Sequence, residues 1–306
     1  MFLYSWVTNL NKEKHFDSAF SCYTNTRIIL KFKESVMITF YLASGALIFT
    51  ALVGFFLFIA NYLTCSGYLT FIFLGIFLAA FAPPFTWFLL GLFFGSAILI
   101  HTLKKYRTRK YDIIGKKGAK RDGKQLLANS LPLIVAVIFA CFPLLNINWS
   151  LVMAAIIAAT TADTWASEIG ILANSQPYNL VNFKKVSPGL SGGVTLLGSL
   201  AAVGGSFLIS ATYAFGLWLF TPKLFNNAIF WLPLGLGIGG MLIDSLLGAT
   251  LQRKYQCQIC GKITEHESHH QTPCRLIHGY RLIDNDAVNA MSGFIILLLA
   301  IILQII

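Results

Sequence analysis

Residues 151–170 read LVMAAIIAATTADTWASEIG, a run of small and apolar side chains whose second half contains two acids, Asp163 and Glu168. Together with the residues before it, this stretch is long enough to cross a bilayer as a helix, which takes about 20 residues. The chain as a whole is 56% hydrophobic and 11% charged, whereas an average soluble domain is about 25% charged. The composition therefore indicates an integral membrane protein and excludes an ordinary soluble domain.

Further apolar runs of helical length follow one another along the chain, without the alternating pattern of membrane β-strands. We predict an all-α fold, a polytopic transmembrane helix bundle of seven or eight spans. The predicted spans are residues 37–60, 67–82, 85–103, 130–147, 149–173, 190–220, 226–251 and 287–306. Pro83 and Pro84 leave two alternatives for the second and third spans, which are either two short spans or one re-entrant hairpin.

Two polar segments stand apart from the apolar runs. Residues 1–35 form an amino-terminal polar segment, and residues 36–306 form the transmembrane domain, which includes a Cys/His insert at residues 253–283. No cleavable signal peptide is expected, because charged residues such as Lys12 and Arg27 interrupt any apolar core near the start.

Basic residues are concentrated in one segment. Residues 104–124 contain ten lysines and arginines against two aspartates, in a chain with a net charge of +11. By the positive-inside rule this loop lies in the cytoplasm. Counting spans forward places residues 176–190 and the insert on the same side, so we predict a multi-pass protein whose polar motifs face the cytoplasm. The amino-terminal segment lies outside if three spans precede Lys104, and inside if two do.

Three acids, Asp163, Glu168 and Asp244, stand inside the helical pattern rather than beside it. An ionised carboxylate in the hydrocarbon costs about 2.5–3.5 kcal/mol on insertion scales, so such acids need either an interaction partner or a functional role. Helix capping explains Asp284, just before the last span, but not these three. Clusters of oxygen ligands suit Mg²⁺, so we predict Asp163, Glu168 and Asp244 as catalytic Mg²⁺ ligands. A proton or ion relay would use the same residues.

A loop of small residues, 186–195 (VSPGLSGGVT), leads into the sixth span and is called the glycine loop below. Glycines let backbone N–H groups turn towards an anion, and the following helix start adds positive potential. A glycine-rich loop is usually only a turn, but basic residues on the same face favour a phosphate site. The predicted phosphate and nucleotide contacts are Lys116, Lys117, Lys120, Arg121, Asn129, Ser191, Gly192, Gly193, Thr195, Asp286 and Asn289.

The insert contains Cys257 and Cys260 in a Cys-x-x-Cys spacing, followed by His269, His270 and Cys274. Cytoplasmic cysteines stay reduced, so metal binding is favoured over a disulfide. Three thiolates and one imidazole complete a tetrahedral Zn²⁺ site. We therefore predict a structural Zn²⁺ on the three cysteines and one of the two histidines. The alternative is a loop of unligated residues.

Several motifs along residues 38–306 resemble, in order, the signatures of the transmembrane protein 19 family. They are 120–129 (KRDGKQLLAN), 162–170 (ADTWASEIG), 191–195 (SGGVT), 244–252 (DSLLGATLQ) and 285–289 (NDAVN). The glycine loop departs from the usual Gly-Thr-Asn-Gly-Gly-Val-Thr, because Leu190 and Ser191 replace the Thr-Asn pair.

This family includes the plant phytyl-phosphate kinase, and its prenol-kinase-like relatives favour CTP. The resemblance therefore implies a membrane-embedded kinase that transfers a phosphoryl group from a nucleoside triphosphate, with CTP favoured, to a prenyl monophosphate. The implied partners are membrane lipid and the prenyl phosphate, with no nucleic acid. An ion-coupled transporter, a family member without catalytic activity and a purely structural membrane protein are the alternatives.

Overall fold

The computed structural model describes residues 44–45, 47–107, 120–142, 146–173 and 175–306, with the backbone alone at 105–107 and 224. Eight apolar helices occur in this part of the chain, and six of them, α3 to α8, are long and apolar enough to cross a membrane. They are α1 (Leu47–Ile59), α2 (Cys65–Phe81), α3 (Pro84–Arg107), α4 (Gly123–Cys141), α5 (Trp149–Gly170), α6 (Leu196–Phe220), α7 (Ala228–Thr250) and α8 (Asn285–Ile305). The predicted helix bundle is confirmed, whereas the amino-terminal segment 1–35 lies outside the described residues.

The break at Pro83 and Pro84 separates two helices that run the depth of the bundle. At the start of α2, Gly67 lies so close to the carbonyl oxygen of Arg121, next to the start of α4, that a Cβ would clash with it. At the start of α3, the Thr86 hydroxyl donates to the sulfur of Met153 at 3.6 Å, near the start of α5. Because α4 and α5 run in opposite directions, α2 connects opposite ends of the bundle, and a shallow re-entrant hairpin is excluded.

Helix α4 begins at Gly123, earlier than the predicted start at residue 130, because a capping box stabilises its first turn. The Asp122 carboxylate accepts a hydrogen bond of 2.8 Å from the Gln125 N–H, and the Gln125 side chain accepts one of 3.3 Å from the Asp122 N–H. Two backbone donors that would otherwise be unsatisfied thereby gain partners. The polar residues before 130 therefore extend the helix.

Helix α5 is the centre of the bundle and packs against α3, α4, α6, α7 and α8. Its residues 151–159 are all buried, mostly with small or aliphatic side chains. Small residues let helices approach closely in a membrane, where van der Waals contact drives association. At Gly240 of α7, for example, a Cβ would lie 2.5 Å from the Cβ of Ala159. The polar end of α5 is therefore surrounded by the ends of its neighbours.

Short strands connect the helices at that polar end. In the glycine loop region, β1 (Tyr178–Asn179) pairs antiparallel with β2 (Gly193–Val194). The insert contains a three-stranded antiparallel sheet and a separate hairpin. The sheet has the order β4 (Ile263–Thr264), β3 (Lys254–Gln256), β7 (Arg275–His278), and the hairpin pairs β5 (Ser268–His269) with β6 (Thr272–Pro273).

Candidate functional site

A cavity of about 800 Å³ lies at the polar end of the bundle, within the range of roughly 300–1,000 Å³ typical of ligand sites. Most of the predicted site residues line it: Arg121, Asn129, Asp163, Glu168, Ser191, Gly192, Gly193, Thr195, Asp244, Asp286 and Asn289. Lys120 is exposed and is not among the lining residues. Lys116 and Lys117 lie outside the described residues. The helix bundle thus brings together motifs that are far apart in the sequence.

Oxygen and amide groups from four helices meet around Asp244 of α7. Its carboxylate accepts a hydrogen bond of 3.1 Å from the Ser292 hydroxyl of α8, and Asp163 of α5 lies close enough for the two charges to interact. The Asn289 carboxamide lies 3.0 Å from Asp244 Oδ2 and 2.9 Å from Asn129 Oδ1 of α4. Two neighbouring, partly buried carboxylates repel each other unless a proton or a cation lies with them. This cluster is therefore suited to holding a cation.

Glu168 lies at the same cavity, next to a lysine and a histidine. The ammonium of Lys104 lies 2.7 Å from Glu168 Oε2, and His101 Nδ1 lies 3.5 Å from the same oxygen. The sequence placed Lys104 at the start of a solvated basic loop, and this interpretation was wrong. Lys104 belongs to α3 and is 7% exposed, because the Glu168 charge compensates for the burial of its ammonium group.

Cationic groups on α4 and on the residues before it complete the electrostatics of the cavity. The backbone of Arg121 is held by the α1–α2 connection, with its N–H donating to Tyr62 O at 2.8 Å. Lys124 forms ion pairs with Asp284 and Asp286 at the start of α8. Burial alone would raise the pKa of Asp284, but hydrogen bonds from Lys124 and the Ala287 N–H outweigh it and lower the pKa. The cavity therefore has anionic and cationic groups on different helices.

The glycine loop packs its backbone directly on the end of α7. Gly192 has φ +83°, and a Cβ there would lie 2.5 Å from the Ala249 nitrogen, so only glycine fits. Two of the N–H groups predicted to meet a phosphate already have acceptors. Ser191 N donates to Glu265 Oε1 at 2.7 Å and Gly193 N donates to Leu190 O at 3.3 Å. In this conformation the loop forms part of the cavity wall, and these two N–H groups are not available to bind an anion.

The sequence interpretation missed Glu265 and Gln252, which also line the cavity. Burial raises the pKa of Glu265, with the Ser191 N–H acting in the opposite direction. Gln252 is 1% exposed and ends one of the family-like motifs. No local pattern distinguishes Glu265 from other insert residues, because its position depends on how the insert folds back onto the bundle.

The Cys/His residues of the insert form a second cluster. The ligand atoms of Cys257, Cys260, His269 and His270 all lie within 4.8 Å of one another. Cys260 Sγ is 3.5 Å from His269 Nδ1. The backbone N–H of Cys260 lowers the pKa of the Cys257 thiol to about 6, while burial and the nearby Cys257 raise the pKa of Cys274. The predicted ligands thus come together, and Zn²⁺ binding stays a prediction.

Comparisons with known proteins agree with the motifs. The family model described as integral membrane protein DUF92 matches residues 48–297. Protein PGR of Arabidopsis thaliana is 32% identical over 224 residues, 67% of this chain and 76% of PGR. An uncharacterized membrane protein of Methanocaldococcus jannaschii is 37% identical over 154 residues, 50% of this chain and 58% of that protein. No solved structure matches the chain.

Proposed function

Because this chain belongs to the DUF92 family of integral membrane proteins, as its motif resemblance predicted, we propose that it is a membrane-embedded kinase. It transfers a phosphoryl group from a nucleoside triphosphate, CTP by preference, to a prenyl monophosphate. The main supporting observation is one cavity in which acids of α5, α7 and α8 lie together with Lys104 and Arg121. Phosphoryl transfer depends on positioning and charge neutralisation, and these are the groups that supply both.

The donor set around Asp244 fits Mg²⁺. This ion prefers oxygen ligands, with one or two carboxylates and the substrate phosphates completing its shell. Asp163 and Asp244 would supply the carboxylates, and Asn129, Asn289 and Asp286 would orient the surrounding waters or the nucleotide. When bound, Mg²⁺ would neutralise charge on the transferred phosphoryl group.

The cationic side chains of the cavity have a different role in the proposal. Lys104 and Arg121, which line the same cavity, bind phosphate oxygens. Glu168, predicted as a metal ligand, is better placed to orient Lys104 through their 2.7 Å contact, since a carboxylate already paired with an ammonium is a poorer ligand for a cation. The basic loop, including Lys116, Lys117 and Lys120, attracts anionic substrates to the mouth.

The position and lining of the cavity support a lipid phosphate as acceptor. Asp163 and Asp244 lie about 10 Å inside the polar ends of their helices, at 1.5 Å per residue. Because these helices are little longer than a hydrocarbon core of about 30 Å, the acids lie below the headgroups, where a lipid phosphate would reach them through the cavity. Apolar side chains of α1, α2 and α3 form one wall, and these are Leu57, Phe71, Phe94, Ala97 and Ile98. A prenyl tail would lie along this wall while its phosphate reaches the acids. The polar end faces the cytoplasm in this proposal.

The direct test uses purified protein in lipid nanodiscs with prenyl monophosphates of several chain lengths, Mg²⁺ and each nucleoside triphosphate separately. We expect a prenyl diphosphate by mass spectrometry and an equal amount of nucleoside diphosphate, with CTP the best donor. No diphosphate from any pair would overturn the proposal. If no diphosphate formed and the protein instead catalysed ion uptake into proteoliposomes that depended on Asp163, the transporter alternative would replace the kinase proposal.

A further inference from the structure

We propose that the insert is a zinc module, in which Cys257, Cys260, His269 and Cys274 bind one Zn²⁺, and that this ion holds Glu265 in the cavity wall. The inference is independent of the kinase proposal, because it concerns a separate group of ligands and a structural role. It rests on the geometry of the ligands, on the small core of the insert and on the position of Glu265.

The ligand distances fit a tetrahedral site. With Zn–S near 2.3 Å and Zn–N near 2.0–2.1 Å, tetrahedral geometry places two sulfurs about 3.8 Å apart and a sulfur and a nitrogen about 3.6 Å apart. The Cys260 Sγ to His269 Nδ1 distance is 3.5 Å, and the ligand atoms of Cys257 lie within 4.8 Å of both. An ion could therefore occupy this space after only small movements of side chains.

The fourth ligand is Cys274 rather than His270. Cys274 lies near enough to Cys257 and Cys260 for their charges to act on its thiol, although its sulfur is outside the group of four ligand atoms that lie within 4.8 Å of one another. His270 is exposed and directly follows His269, with ring centroids 4.1 Å apart and planes at 62°. Two adjacent imidazoles would both have to turn towards one ion, whereas Cys274, between β6 and β7, adds a third sulfur to the set.

The insert has too little apolar core to hold its own shape. Within residues 253–283, the buried side chains are those of Tyr255, Cys257 and Thr264. Segments below about 40 residues usually need a disulfide, a metal or a partner for a stable fold. The cysteines described by the structure are all free, so a metal is the remaining device within the insert, and such ions contribute directly to folding.

The metal ligands and the cavity wall share the same strands. The Cys257–Cys260 turn connects β3 to β4, with Cys257 N donating to Lys262 O at 3.0 Å. Glu265 directly follows β4 and accepts the Ser191 N–H at 2.7 Å. Cys274 N in turn donates to Glu267 O at 2.8 Å. An ion bound by the cysteines would therefore hold the end of β4 in position, and with it Glu265 against the glycine loop.

Metal content is the first test. Full-length protein purified without chelators should contain about one zinc per chain by elemental analysis, and Cys257→Ser should remove it. Cys141→Ser, an exposed cysteine at the other end of α4, is the matched control and should keep the metal. Absence of zinc from the wild type, or a Cys257–Cys260 disulfide found by mass spectrometry, would overturn the proposal.

Cobalt substitution identifies the fourth ligand. Thiolate-to-Co²⁺ absorption should fall by about a third in Cys274→Ser, because one of three thiolates is lost, and should be unchanged in His270→Ala. The reverse result would reject Cys274 as the ligand.

Hydrogen exchange tests the coupling between the zinc site and the cavity wall. Zinc removal should increase exchange in the insert and at residues 188–193 but not in α5. If only the insert changed, the proposed support of the cavity wall would be wrong.

Discussion

The backbone N–H of Ser191 donates a hydrogen bond of 2.7 Å to the carboxylate of Glu265, which joins the glycine loop to the insert. The two residues are 74 positions apart in the sequence. Both line the cavity, so part of its wall is built from two loops joined by this hydrogen bond. Substitutions in the insert should therefore alter the cavity wall, even though no residue of a helix is changed.

If the proposed kinase reaction is correct, Asp163→Asn and Asp244→Asn should each lower turnover by at least about a hundredfold, since each removes charge proposed to hold Mg²⁺. Asn keeps the size of the side chain, so the protein should still fold. Asp122→Asn is the matched control, because Asp122 does not line the cavity and Asn is an equally good helix cap. Turnover is measured by diphosphate formation at saturating substrate. Full activity in Asp163→Asn would contradict the metal role.

Lys104→Met and Glu168→Gln separate phosphate binding from metal binding. We expect Lys104→Met to raise the KM for the phosphate substrates strongly, because a buried cation at the cavity is lost. Glu168→Gln keeps a hydrogen-bond acceptor for Lys104 and should have a smaller effect, with an unchanged Mg²⁺ concentration for half-maximal rate. A shift of that concentration to higher values in Glu168→Gln would instead restore Glu168 as a metal ligand.

Gly192→Ala should destabilise the protein. Its φ of +83° is unfavourable for alanine, and the new Cβ would approach the Ala249 nitrogen to 2.5 Å. The left-handed backbone alone costs about 1–2 kcal/mol. Gly235→Ala is the control, since no atom lies within 4 Å of a Cβ built there. Thermal unfolding in detergent should show a lower midpoint for Gly192→Ala only, and equal midpoints would show that the loop can move off α7.

Glu265→Gln should raise stability at neutral pH. Burial raises the pKa of Glu265 in the folded state, so the folded protein binds this proton more tightly than the unfolded chain, whose Glu pKa is about 4.3. A raised carboxyl pKa makes no net contribution below that value and lowers stability as pH rises through the folded pKa. The midpoint advantage of the variant should therefore be largest near pH 7–8 and shrink towards pH 5. A pH-independent difference would contradict this origin.

Trypsin cleavage in sealed vesicles tests the orientation. Lys120 and Lys262 are exposed near the polar end of the bundle, and Lys223 is exposed between α6 and α7 at the opposite end. We expect cleavage at Lys120 and Lys262 from the cytoplasmic side only, and at Lys223 from the other side only, with fragments identified by mass spectrometry. Cleavage of Lys120 and Lys262 from opposite sides would exclude a shared polar face.

Much of the site could be predicted from the residue types and their position in the helical pattern. Asp163, Asp244 and Asn289 line one cavity as their motifs indicated, because acids and amides inside membrane helices are costly without a shared polar site. The Lys104–Glu168 pair was not predictable, since Lys104 looks like the first residue of a basic loop. Its burial depends on how α3 and α5 are rotated against each other, which no local pattern specifies.

The sequence by itself determined that the chain is a membrane helix bundle, because long apolar runs have no other stable place and must satisfy their backbone hydrogen bonds as helices. It also determined where acids, amides and cysteines occur, and the count of spans from the basic loop indicated which ones share an end. Only the tertiary structure decided that Ser191 gives its N–H to Glu265 and that Lys104 neutralises Glu168. Such contacts join segments 64 to 74 positions apart, and they form because packing around α5 removes water, so that each buried polar group requires a partner.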